Sequence, residues 1–221
     1  MKKIQVLHIQ FPEIQLKTRD AHKLRGYFGN LFKEHSALLH NNYEGGKLKY
    51  QYPLVQYKVI GGIPTLLALE EGAHLLAGLF LQIKELNIDG ITYTIHNKSM
   101  KTEEVGIGHS TELYEYKFQT LWMALNQTNH KLFLEATDEQ RTIMLNKILL
   151  GNVLSLLKGL NIRLNENEHL MAKTNVSEKS TKFKDKDMIA FMGSFIINAI
   201  LPDGIGLGKA VSRGFGTIKK Q

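Results

Sequence analysis

The chain has 221 residues, no cysteine, a formal net charge of +7 and a pI of about 9.4. That length allows one large domain or two small ones with a real core, and the absence of cysteine excludes disulfides, thiol nucleophiles and thiolate metal sites. The basic balance suits a nucleic acid or another polyanion as partner. No apolar run reaches the roughly twenty residues of a membrane span, and the segment from Met1 to His8 turns polar too early for a signal peptide, so a cytoplasmic protein with no membrane partner is expected.

Residues 3–11 alternate as a strand that Pro12 ends. Thr18 or Asp20 can cap a helix over about 19–34, with Ala21, Leu24, Phe28 and Leu31 at helical spacing. A polar loop from His35 to Gly46 follows, then strands over about 48–60 and 63–69, split by the turn signal Gly61-Gly62. A second helix is expected over about 71–86, lined by Leu76, Phe80, Ile83 and Leu86; Asn87-Ile-Asp-Gly90 stops it, and Ile91–Ile95 reads as a strand. The order is β-α-β-β-α-β, the ferredoxin-like unit.

The second half repeats this less plainly. Strand-like residues 105–121 precede a helix over about 138–159, whose stripe is Leu145, Leu149, Val153 and Leu156. Residues 168–200 read as a long hairpin with a charged middle, including Lys179, Lys182, Lys184 and Lys186, and an apolar return arm. The fold class is therefore α+β, two tandem ferredoxin-like βαββαβ units packed as one body. The second is degenerate, without an evident second helix, and the expected units are 1–98 and 103–221.

The last eighteen residues carry the strongest functional signal. Gly204, Gly206, Gly208, Gly214 and Gly216 are interleaved with Lys209, Arg213, Lys219 and Lys220, so bare backbone lies beside fixed positive charge. Such a stretch either grips phosphate or closes a sheet as a turn; the interleaved cations favour a nucleic-acid backbone. Gly208-Lys209 lacks the upstream glycine and following Ser/Thr of a Walker loop, and the few residues beyond it leave no room for a βαβ dinucleotide fold. The nine histidines form neither an HExxH nor a close His-x-x-x-His pair, so no metal and no cofactor is expected.

A ferredoxin-like pair, a histidine loop after the first helix and a terminal GxGxGK…RGFG stretch resemble the CRISPR repeat-processing endoribonucleases, the Cas-six family of the RAMP superfamily. Leu38-Leu-His-Asn-Asn42 and the segment Tyr50 to Lys58 are similar to its subtype I-B branch. The resemblance implies cleavage of precursor CRISPR RNA within each repeat without a metal, the RNA's own 2′-hydroxyl attacking the adjacent phosphate to leave a 2′,3′-cyclic phosphate and a 5′-hydroxyl. Such chemistry needs a proton-transfer group titrating near neutrality and a cation for the developing charge. The resemblance puts His40 first as catalytic residue, with His35 as its rival. Tyr27 and Tyr43 compete for a supporting role, and Lys47 is placed to hold the scissile phosphate. Gly204, Gly206, Gly208, Lys209, Arg213, Gly214, Gly216 and Lys219 are the expected RNA contacts. Tyr50, Tyr52 and Tyr57 read as sheet packing. Precursor repeat RNA is the expected partner, with other CRISPR effector subunits as further partners and a monomer or homodimer as the assembly. The alternatives are a noncatalytic RNA-holding subunit of an effector complex and an unrelated phosphometabolite enzyme.

Overall fold

The alternation in Lys2–Gln10 forms strand β1, which is buried on both sides: Leu7 and Ile9 on one, Ile4 and Val6 on the other. The structure, a computed structural model, describes residues 1–32, 51–183 and 186–221. They form two units. The first comprises Lys3–Val105 with Ser212–Gly214; the second comprises Met1–Lys2, Gly106–Val211 and Phe215–Gln221.

In the first unit β1 leads through a 3-10 turn at Thr18–Asp20 into helix α1, Ala21–Leu31. Asp20 stands at the helix start, but its carboxylate takes the Lys17 N–H at 3.1 Å and Lys23 Nζ at 2.6 Å instead of capping α1. Strands β2 (Val55–Ile60) and β3 (Ile63–Leu69) form a hairpin, and β3 pairs antiparallel with β1 through Val6↔Leu69 to Gln10↔Thr65.

Helix α2, Glu71–Leu79, is shorter than the apolar spacing predicts. A 3-10 turn at Phe80–Gln82 ends it, and the Lys98 ammonium donates to the Phe80 and Ile83 carbonyls, 2.6 Å each, satisfying acceptors that helix continuation would have used. Ile83 and Leu86 are buried as expected, from extended chain rather than helix. Strands β4 (Glu85–Ile88) and β5 (Ile91–Thr94) then close a separate two-stranded hairpin across Asp89-Gly90, both at positive φ. The run at 91–95 is thus a strand but not the fourth of the main sheet. That place goes to the start of β6 (Ser99–Phe118), giving the order β2-β3-β1-β6.

Between the helices and this sheet lie Leu7, Ile9, Phe11, Leu24, Phe28, Tyr57, Leu66 and Leu76, with the Phe28 and Tyr57 rings stacked at 5.8 Å. Tyr57 is a packing residue, as expected. Period-2 alternation sends Gln56, Lys58, Thr65 and Leu67 to the opposite sheet face, where all four are buried.

The second unit uses the remainder of β6. Helix α3, Gln127–Glu135, was not legible in the sequence; Asn126 caps it by accepting the Asn129 N–H at 2.7 Å. Helix α4 spans Asp138–Gly159, the predicted bounds, opened by a Thr137/Gln140 capping box. Its stripe Leu145, Leu149, Val153 and Leu156 is buried, and Asn146 Oδ1 accepts both the N–H and hydroxyl of Thr174 at 2.8 Å. The expected hairpin is present as β7 (Ala172–Phe183) and β8 (Lys186–Ile200), paired continuously from Ala172↔Ile197 to Phe183↔Lys186. Strand β9, Ile218–Lys220, pairs with β6, so the order is β7-β8-β6-β9.

The two sheets therefore have the same connectivity, each unit's first strand lying between its third and fourth. Where the first unit has its second helix, the second unit has the glycine-rich segment with a short 3-10 turn at Val211–Arg213. Trp122, Phe118, Phe191 and Phe195 centre the second core, with ring centroids 5.1–5.8 Å apart. No helix among the described residues is long and apolar enough to cross a membrane.

Candidate nucleic-acid interface

Of the residues expected to do chemistry, His40, Tyr43 and Lys47, with the rival His35, lie outside the described residues. Tyr27 lies on α1 within the first unit. Its hydroxyl donates to the Glu85 carbonyl at 2.8 Å, tying the helix to β4, and its ring packs edge-on against Phe28 at 5.2 Å. Burial, aided by the Glu85 carboxylate, pushes its phenol above the ordinary value, so it stays protonated at working pH. A cleft opens beside it, lined by Lys23, Asn30, Leu31, Asn87 and Asp89. Lys23 is held there by Asp20 and Asp89.

The terminal glycine segment is more internally bonded than its composition implies. The N–H groups of Gly204, Leu207, Lys209, Gly216 and Ile218 donate to the carbonyls of Ile218, Gly216, Met123, Leu121 and Ile205, at 2.8–3.0 Å. The Thr217 N–H donates to Thr120 Oγ1 at 2.9 Å. These amides close the second unit's sheet and its approach to Trp122. Gly216 shows why glycine is required: its φ is +64°, and a Cβ there would sit 1.9 Å from the Leu207 carbonyl oxygen. Gly204, Gly206 and Gly216 are buried, while Lys209 and Lys219 are exposed and Arg213 is half-exposed. The segment's surface chemistry is therefore carried by its cations, on a frame set by its glycines. The backbone of the glycine stretch is a sheet-closing turn.

Residues 212–214 belong to the first unit. Gly214, at φ +86°, sits where a Cβ would meet Ala21 Cβ at 2.8 Å and the Tyr57 carbonyl oxygen at 3.1 Å. That contact brings Arg213 alongside α1, where Arg25 follows Ala21 by one turn on the same face. Arg25 is held below the ordinary arginine value, first by burial and then by the neighbouring Arg213 charge. Sequence reasoning did not single out Arg25: only the return of residues 212–214 to α1 puts the two guanidiniums together. Lys58, on the buried sheet face, is lowered to about 7 by burial. Among the described residues no group of three or more His, Asp or Glu side chains could hold a metal ion.

Both halves of the chain match family models. Residues 2–106 match the Cas6b N-terminal domain and residues 108–221 the Cas6b C-terminal domain. Over all of both chains, the fold superposes on a crystal structure of Cas6b with a TM-score of 0.94 at 33% identity. A crystal structure of a CRISPR RNA processing endoribonuclease, Cas6b, gives 0.81 at 30% identity, again over both whole chains. The type IV Cas6 crRNA endonuclease Csf5 shares the fold, with a TM-score of 0.60 at 11% identity and full coverage of both chains. An uncharacterized protein of Methanocaldococcus jannaschii is 33% identical over 143 residues, which is 63% of this chain and 95% of that protein. With both of its halves matched in order and nearly end to end, the chain belongs to the Cas6b family.

Proposed function

We propose that the protein cuts precursor CRISPR RNA within its repeats, without a metal ion, through attack of the RNA's 2′-hydroxyl on the adjacent phosphate. The observation that carries this reading is the match of both halves to Cas6b together with the whole-chain likeness to a Cas6b described as a CRISPR RNA processing endoribonuclease. His40 transfers the proton, since an imidazole titrates near the working pH, and Lys47 offsets the charge that builds on the phosphorane. Between the two tyrosines we assign the supporting role to Tyr43. Tyr27 already spends its hydroxyl proton on the Glu85 carbonyl, which makes it a positioning residue. Lys209, Arg213 and Lys219 grip the RNA phosphates, with Gly204, Gly206, Gly208, Gly214 and Gly216 as the frame that presents them. Arg25 backs Arg213 at the same phosphate.

The test is incubation of the protein with its repeat RNA in EDTA, beside RNA carrying a single 2′-deoxy at each candidate position and beside His40→Ala protein. The expected result is one cut that EDTA leaves intact, lost with one 2′-deoxy substitution and lost with His40→Ala while RNA binding persists. Tight binding of RNA with no cut by the wild-type protein would overturn the enzyme reading in favour of an RNA-holding subunit. Tyr27→Phe and Tyr43→Phe separate the tyrosines: the first is expected to keep the wild-type rate constant, the second to lose at least tenfold.

A further inference from the structure

The sheets of the two units present different outer faces. In the first unit the face away from the helices is buried, Gln56, Lys58, Thr65 and Leu67 included. In the second unit Tyr116, Phe118, Phe195 and Ile197 turn inward and are buried, while their alternate neighbours Lys117, Glu115, Ile196, Lys173, Asn175 and Lys219 are exposed.

The register places Lys117 directly opposite Lys219, on the same face of adjacent strands. Ser194 lies opposite Lys117 on the other side, and Asn175 lies opposite Ser194. A row of two lysines, a hydroxyl and an amide therefore crosses four strands at about 4.8 Å per step. Lys173 stands two residues along β7 from Asn175 and adds a third cation. Among the described residues none of Lys117, Lys173 and Lys219 makes a salt bridge, and the one carboxylate of this part of the face, Glu115, belongs to the next row. Like charges directly opposite across strands destabilise a sheet, so this pair weakens the fold unless an anion spends time between them.

We propose that this open sheet face is a second track for the phosphate backbone of the bound RNA, with one phosphate seated between Lys117 and Lys219 and the strand running on toward Lys173. Charge complementarity selects the occupant: three exposed cations and two neutral hydrogen-bonding groups across a flat surface fit a polyanion. No aromatic ring is exposed along the row for a base to stack on, so the track holds single-stranded RNA by its phosphates and reads no sequence. The inference rests on the reading of the ligand as RNA.

The test uses the full-length protein, fluorescently labelled oligouridylate and the repeat RNA, with Lys117→Gln and Lys117→Glu. Lys117→Gln removes one phosphate contact, so oligouridylate affinity is expected to fall about 5-fold at 0.1 M salt, with the slope of log K against log salt shallower by about 0.7. Lys117→Glu also engages Lys219 across the strands. It is expected to weaken binding about 25-fold while raising the melting temperature by about 1–3 °C. If the wild-type protein binds and cuts repeat RNA but Lys117→Glu retains wild-type oligouridylate affinity and salt slope, the track is overturned and the functional reading stands. A lower melting temperature of Lys117→Glu with unchanged RNA affinity overturns it equally. Failure of the wild-type protein to bind either RNA overturns both.

Discussion

Replacing Lys58 by methionine, similar in volume and without charge, is expected to remove a rise in stability that the wild type shows above neutral pH. Lys58 is fully buried on β2, and burial alone lowers it from the ordinary lysine value of 10.5 to about 7. At about 1.4 kcal/mol per pH unit, the lowered value makes the charged form, relative to the neutral one, about 5 kcal/mol less favourable in the folded chain than in the unfolded one. The sign follows from proton counts. Between pH 7 and 10.5 the unfolded chain holds a proton that folded Lys58 has released, so stability rises with pH across that window. Below pH 7 the cost is complete and flat. Urea denaturation of wild-type and Lys58→Met protein at half-unit steps from pH 6 to 9.5 measures this rise. The wild type is expected to gain up to about 1.4 kcal/mol per pH unit above pH 7 relative to the variant. Parallel pH curves would refute the burial argument.

Gly216→Ala should cost about 3 kcal/mol or more, because its Cβ would meet the Leu207 carbonyl oxygen at 1.9 Å with φ at +64°; a thermal melt checks this, and an unchanged melting temperature would show that the turn can rearrange. Asn146→Leu strips the acceptor from both the N–H and hydroxyl of Thr174 and is expected to cost about 1–3 kcal/mol by urea denaturation. Asp20 is raised by burial but more strongly lowered by its bonds from Lys23 and the Lys17 N–H, so it sits below the ordinary 3.8. Its contribution is present above pH 3.8 and fades as pH falls through the lower folded value. Asp20→Asn should therefore flatten the acid limb of the stability curve.

Legibility in the sequence followed how local each determinant is. Helix α4 was readable to its ends because Thr137, Gln140 and the stripe at Leu145, Leu149, Val153 and Leu156 all lie within one segment. The β7–β8 hairpin was readable for the same reason. Helix α3 was missed because its leucines, Leu132 and Leu134, are exposed and Phe133 is its one fully buried residue, so no apolar stripe marks it. The spacing of Leu76, Phe80 and Ile83 continued the helical pattern past Leu79, and nothing nearby in the chain shows that Lys98 will take the carbonyls there. Which strand completes the first sheet was equally hidden: 91–95 reads as a strand, the next is legible only from about 105, and pairing with β1 is decided by tertiary structure. At the site, the cations of the glycine segment were visible. That its amides are occupied by Leu121, Met123 and Thr120 was not, because those partners lie some ninety residues upstream. The pairing of Lys117 with Lys219 was hidden by the same distance.

Strand β6 gives Ser99–Val105 to the first unit and Gly106–Phe118 to the second without a break. One continuous strand is thus the last of one ferredoxin-like unit and the first of the next, and residues 212–214 return to the first after the second is nearly complete. A cut at the midpoint would sever β6 and part residues 212–214 from the unit they pack in.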